Sequence, residues 1–243
     1  MHIDKLNFKY LVYSYAEAAA SLPADGMAVY LLIQNCGQPI IAFLQILCCD
    51  SMQEIKFDPK KTALVVIDMQ KGIAAGGRSL APHAAEEVRR NVGIAIRKFR
   101  DAGAKVFLVH VTGTDGADML KPLVDDSPSW GSPSPDWAEF VDEAKPTEKD
   151  IVITKRQWGA FYGTELDLQL RRRHIDTIFL CGISTNIGVE TTAREAYQHG
   201  YNVVLLEDAM SAMSRDEHDA SVKFIFPRIG IVRSTEQAMS MLG

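Results

Sequence analysis

Four short apolar runs, rich in β-branched and aromatic residues, set the terms on which this chain can fold. They are Thr62-Ala-Leu-Val-Val-Ile-Asp68, Lys105-Val-Phe-Leu-Val-His-Val111, Asp176-Thr-Ile-Phe-Leu-Cys-Gly182 and Asn202-Val-Val-Leu-Leu-Glu207. A run of this length without polar alternation reads as a strand covered on both faces, as in a parallel sheet. Ile151–Thr154 and Ile229–Arg233 are shorter runs of the same kind. Between them lie helical patterns at Glu86–Asp101, where Val88, Val92, Ile96 and Phe99 form one stripe, at Thr164–Arg173 and at Asn186–His199. Strand alternating with helix implies right-handed crossovers and a helix-sheet-helix sandwich. Ligands of such sheets bind beyond the carboxyl ends of the strands, so chemistry is sought there.

Composition narrows the function classes. With 47% hydrophobic and 23% charged residues the chain suits an ordinary globular protein. A net charge of −5 supplies no general attraction for nucleic acid or anionic lipid. Cys36, Cys48, Cys49 and Cys181 form neither a disulfide framework nor zinc-ligand spacing, which points to a reducing cytoplasm.

Residues 1–51 differ from the rest. Gly26–Cys49 carries no charge, whereas charges are dense from Asp50 onward, so a boundary is expected here, with a domain over 52–243. The apolar stretch is long enough for a membrane helix, which needs about 20 residues, but Gln34, Asn35, Gln38, Pro39 and Gln45 interrupt it. An export signal is disfavoured because Asp25 precedes the run and Cys-Cys-Asp follows it. The segment reads as an appendage, disordered or not native, with Met52 as the working start.

Thr112–Asp150 breaks the rhythm with five prolines and with Trp130 and Trp137. A connection this long is an active-site lid, an oligomer contact or a packed surface excursion.

At the strand ends stand Asp68, Lys155 and the connection Gly182-Ile-Ser-Thr-Asn-Ile-Gly188. A carboxylate beside a lysine at the dry mouth of a sheet can serve as acid or base, because burial raises its pKa and a cation lowers it. A solvated or capping aspartate is the plainer alternative. A hydroxyl or amide of Ser184–Asn186 can cap the following helix, whose first N–H groups form an anion site, and Gly188 allows close backbone approach. No strand is followed by G-x-G-x-x-G, and no G-x-x-x-x-G-K-[ST] occurs, which argues against NAD and nucleoside triphosphates. His83, His110, His174, His199 and His218 show no ligand spacing along the chain, so no metal is expected.

Three segments carry a resemblance: Ala63-Leu-Val-Val-Ile-Asp-Met-Gln70, Lys155-Arg-Gln-Trp-Gly-Ala-Phe-Tyr-Gly-Thr-Glu-Leu166, and Cys181-Gly-Ile-Ser-Thr-Asn-Ile-Gly-Val-Glu-Thr-Thr-Ala-Arg194. In this order they resemble the isochorismatase-like hydrolases of the cysteine hydrolase superfamily, nearest the bacterial branch called YecD-type. The likeness runs from about Asp58 to the end of the chain. It implies a three-layer α/β/α sandwich with a six-stranded, mainly parallel, Rossmann-like sheet, and a site of Asp, Lys and usually Cys, with Asp68 and Lys155 in the first two places. The family cysteine follows the strand turn as T-x-x-C-V, and here Thr185-Asn-Ile-Gly188-Val189 puts glycine in its place. Cys181 lies seven residues earlier within an apolar strand and reads as a buried small hydrophobe. The resemblance also implies a cis Ile183–Ser184 peptide. Nicotinamidase-like relatives carry an Asp-x-His and a second His beyond the first strand, and Asp115–Asp126 holds no histidine, so neither zinc nor another cofactor is expected at the site.

Loss of the thiol disfavours a covalent thioester route. Glycine at this position is shared with true isochorismatases, which hydrolyse a vinyl ether without a covalent intermediate. Their turn reads G-V-Y-A-H-I-G, however, and Ser184 and Asn186 replace its aromatic and histidine. The expectation is a hydrolase acting on a small, carboxylated molecule through Asp68, Lys155 and Gly188. Substrate contacts are expected from Gln70, Trp158, Phe161, Ile183, Ser184, Thr185 and Asn186, and Arg78 and Arg156 are candidates for an anionic group. The alternatives are a non-catalytic metabolite-binding or assembly protein and a different chemistry on the same scaffold. A homo-oligomer is implied by the resemblance.

Overall fold

A computed structural model describes the backbone of residues 30–35 and 38–43, and residues 55–125 and 134–243. The chain divides into two compact units between Gln53 and Glu54. In the first, β1 (Tyr30–Asn35) and β2 (Gln38–Phe43) pair antiparallel, so this part of the Gly26–Cys49 stretch is extended rather than a membrane helix. The rest of residues 1–51, and Trp130, lie outside the described residues. No helix among the described residues is long and apolar enough to cross a membrane.

The second unit holds six parallel strands: β3 (Thr62–Ile67), β4 (Lys105–Val111), β5 (Ile151–Lys155), β6 (Thr177–Ile183), β7 (Asn202–Ser211) and β8 (Ile231–Arg233), in the order β5-β4-β3-β6-β7-β8. Every residue of β3 and β6 is buried, which accounts for their unbroken apolar character. Alternation along β3 sends Leu64 and Val66 into one core and Ala63, Val65 and Ile67 into the other, one core on each face of the sheet. The helices are α1 (Lys71–Ala74), α2 (Ala85–Asp101), α3 (Leu166–Arg171), α4 (Glu190–Gln198), α5 (Arg215–Ala220), α6 (Phe226–Ile229) and α7 (Thr235–Ser240). Helix α2 buries Val88, Val92, Ile96 and Phe99, the stripe that its sequence predicts.

Two features of the sheet shape its carboxyl end. From β3 the chain winds outward to β4 and β5, then returns to β6 on the other side. The carboxyl ends of β3 and β6 therefore flank a switch point, where crevices open in such sheets. In β7 the register slips against β6: Leu205 pairs with Leu180 but Met210 with Gly182, so β7 accommodates extra residues around Glu207 and Asp208. Such bulges re-aim side chains.

The segment from Thr112 to Asp150 is in its described parts a packed excursion. Val141 and Ala144 are buried, and Phe140 bridges to Gln70. Lys71 forms ion pairs with Asp136 and Glu139. Trp137 leans so closely on Gly72 that a Cβ there would collide with its indole.

Candidate active site

Asp68 is the first residue beyond β3 and adopts φ 51°, a left-handed conformation that aspartate tolerates better than most residues. Its N–H is held by the Val109 carbonyl at 2.9 Å. Lys155 ends β5, two strands away, and its stem reaches past the end of β4 to bring Nζ to 2.7 Å from Asp68 Oδ2. The same ammonium donates to the Trp158 carbonyl at 2.7 Å. Asp68 is 5% exposed and Lys155 2%.

The two carboxylate oxygens differ. Oδ2 accepts from Lys155, whereas Oδ1 is buried and has no hydrogen-bond partner. Burial pushes the Asp68 carboxyl up to about 6, against the opposing pull of Lys155. A buried oxygen without a protein partner is left to water or a ligand.

Gly188 closes the constellation. A Cβ at this position would stand 3.3 Å from Asp68 Oδ2 and 3.4 Å from Lys155 Nζ, with the Ile67 methyl at 2.9 Å. Position 188, which the resemblance assigns to cysteine, therefore borders the ion pair, and glycine lets the Ile67 methyl close in where a side chain would stand. Cys181 is fully buried in the core with its thiol pKa raised by desolvation, and takes no place in the site.

The turn before α4 departs from a simple capped helix. Thr185–Val189 forms a π-helical turn, and no side chain of Ser184 caps it. The Ser184 carbonyl accepts instead from Ile187 and Val189 N–H. The Ile183–Ser184 peptide is cis. Ser184 and Asn186 are half-buried, and Asn186 Oδ1 is a second orphaned buried oxygen. The Thr185 hydroxyl is engaged with His218 Nδ1 at 2.9 Å.

Several expected substrate contacts are otherwise committed. Gln70 is fully buried; its Oε1 accepts from Val111 N–H and its Nε2 donates to the Val111 and Trp137 carbonyls. It thus fastens the Thr112–Asp150 segment to the end of β3, because an amide matches both backbone polarities. Phe161 is core, stacked on His199 at 5.1 Å between centroids. Trp158, 64% exposed, and Tyr162, 72% exposed, are the aromatics left available beside Lys155. Ile183 is buried in the core. Arg156 is held by Asp118 at 2.6 Å. Arg78 lines a separate cavity of about 340 Å³ with Ile73, Leu80 and Arg89, which neither Asp68, Lys155 nor Gly188 borders.

One positioning residue has no signal in the sequence beyond helical spacing. Thr192, fully buried, donates to the Gly188 carbonyl at 2.6 Å and accepts from Ala160 N–H at 3.1 Å, tying the turn to the loop after Lys155.

The isochorismatase domain model matches residues 62–237. The chain is 50% identical over 193 residues to the isochorismatase family protein YwoC of Bacillus subtilis (strain 168), covering 79% of this chain and 99% of that protein. It is 52% identical over 192 residues to YecD of Escherichia coli O157:H7, covering 77% and 100%. In structure it is similar to an isochorismatase family protein from Burkholderia thailandensis, with a TM-score of 0.72 at 41% identity, covering 76% and 97%.

Proposed function

This chain belongs to the isochorismatase family, and we propose that it is a hydrolase acting without a covalent intermediate or cofactor on a small carboxylated molecule bearing an enol ether. The observation that carries this reading is the buried Asp68 carboxyl, with Oδ2 on Lys155 and Oδ1 without a protein partner, next to a position 188 that bears no thiol. A carboxyl whose pKa is raised to about 6 keeps a proton available near neutrality. In the reaction the Asp68 proton passes to the terminal enol carbon, and the charge left on the ether-bearing carbon is oxocarbenium-like. Water adds there and returns a proton to Asp68. The resulting hemiketal collapses to a ketone and an alcohol, so one water is consumed and no redox partner is needed.

Lys155 holds Asp68 by Oδ2, which leaves Oδ1 as the oxygen that carries the proton. Trp158 and Tyr162 wall the approach, and Ser184 and Asn186 supply polar contacts to the substrate. A homo-oligomer goes with this reading and is tested by light scattering on the full chain.

The deciding experiment incubates the wild type, Asp68→Asn and Gly188→Cys with isochorismate, simple enol ethers and small amides. Enol-ether turnover that falls about 100-fold or more in Asp68→Asn supports general-acid hydrolysis. Amide turnover by the wild type would overturn it. Silence from every variant would favour a metabolite-binding protein.

A further inference from the structure

A second cluster stands apart from Asp68. His83 lies in the connection before α2, Glu207 on the bulged part of β7 and His218 in α5. Linear distance hides them, yet their ligand atoms lie within 4.8 Å of one another. We propose that His83, Glu207 and His218 form a binding site for a divalent transition metal of the zinc class.

The donor chemistry suits such an ion. Two imidazoles and one carboxylate, with a fourth position open to water, are a set that tetrahedral zinc accepts. Both rings aim Nε2 at one oxygen: His83 Nε2 is 2.9 Å and His218 Nε2 3.0 Å from Glu207 Oε1. In tetrahedral zinc, with bonds of about 2.0–2.1 Å, neighbouring ligand atoms lie about 3.3–3.4 Å apart. The two nitrogen–carboxylate distances therefore need to open by only a few tenths of an ångström, while the two imidazole nitrogens, within 4.8 Å of each other, adjust around the ion.

The outward nitrogens point the same way. His218 Nδ1 is 2.9 Å from the Thr185 hydroxyl, and His83 Nδ1 is 3.5 Å from Glu87 Oε1. When a metal replaces the proton on each near nitrogen, these oxygens can accept from the far nitrogens and hold the rings in orientation. His218 is 1% exposed at its side chain, His83 19% and Glu207 32%, so the ion reaches the cluster from the Glu207 side.

Through Thr185, a metal here would brace the turn that contains Gly188 without touching Asp68 or Lys155. Metal binding at this site is therefore measurable without reference to the reaction proposed above. The test uses full-length, untagged, chelator-treated protein, titrated with Zn²⁺ by calorimetry and with Co²⁺ by visible absorption. The expected result is one saturable site per chain, d–d bands of tetrahedral cobalt and a Zn²⁺-dependent rise in Tm. His83→Ala, a change at a partly exposed residue, should weaken binding about 100-fold or more, and Glu87→Ala about 10- to 100-fold. Circular dichroism verifies that both variants fold. No saturable binding by the wild type, or undiminished affinity in both His83→Ala and Glu207→Gln, would overturn the proposal.

Discussion

The carboxyl end of the sheet carries two carboxylates in opposite electrostatic states. Asp68 is almost wholly buried, has one cation and leaves an oxygen without a partner, and its pKa is raised to about 6. Glu207 is partly exposed, and the hydrogen bonds from His218 and His83 outweigh its desolvation and hold its pKa down to about 2. Proximity of positive charge does not by itself decide such a pKa. The balance between lost water and gained donors does, and a site meant to hold a proton must be kept short of donors.

The largest test of this contrast removes the lysine. Lys155→Met should cost about 3–5 kcal/mol of unfolding free energy at pH 8, because Asp68 is left charged and unpaired, and less below pH 5, where Asp68 takes up a proton. Denaturant titration at both pH values checks it, and a pH-independent cost would break the comparison.

The second concerns pH alone. Because the folded pKa of Asp68, about 6, lies above its unfolded value of 3.8, its stabilising contribution is whole below pH 3.8 and is lost as pH rises through 6. Measured against Asp68→Asn, that dependence should amount to at most about 3 kcal/mol. On the proposed mechanism, kcat/KM for an enol ether should likewise fall about tenfold per pH unit above pH 6.

At Glu207 the expectation is smaller. Glu207→Gln keeps the shape but loses the charge, and should cost about 1–3 kcal/mol in metal-free protein at neutral pH, read from denaturant midpoints. The smallest effect sharpens the contrast from outside: Asp118→Asn, which breaks a half-exposed pair with Arg156, should change stability by about 1 kcal/mol or less in the same titration.

How much of the fold is legible in the sequence depends on which forces act locally. β4 is legible to the residue, since Lys105 and Thr112 bracket an apolar run and burial explains both. Periodicity starts α4 at Asn186, whereas α-helix begins at Glu190, because the π turn before it leaves no trace in a period of 3.6. Helices α5 and α7 escape a reading by periodicity, although Ser214 with Glu217 and Ser234 with Gln237 are capping boxes visible in the sequence.

Side-chain duties are harder to read. Asp68 and Lys155 stand at the strand ends that topology brings together. Gln70 and Phe161 lie beside those motifs, but one is occupied by backbone and the other by core. The meeting of His83 with Glu207 spans 124 residues and depends on a register slip that no motif encodes.

The strand order has a consequence for the chain as it is made. β3 sits at the centre of the sheet and is synthesised first of the six, but its partner β6 comes much later: Ile67 pairs with Gly182. At about 5–20 residues per second, one edge of an unbroken apolar strand waits for roughly 5–25 seconds before its partner leaves the ribosome. A nascent chain in that interval offers its stickiest edge to its neighbours. The longer β6 takes to arrive, the longer that edge stays open to pairing with another chain.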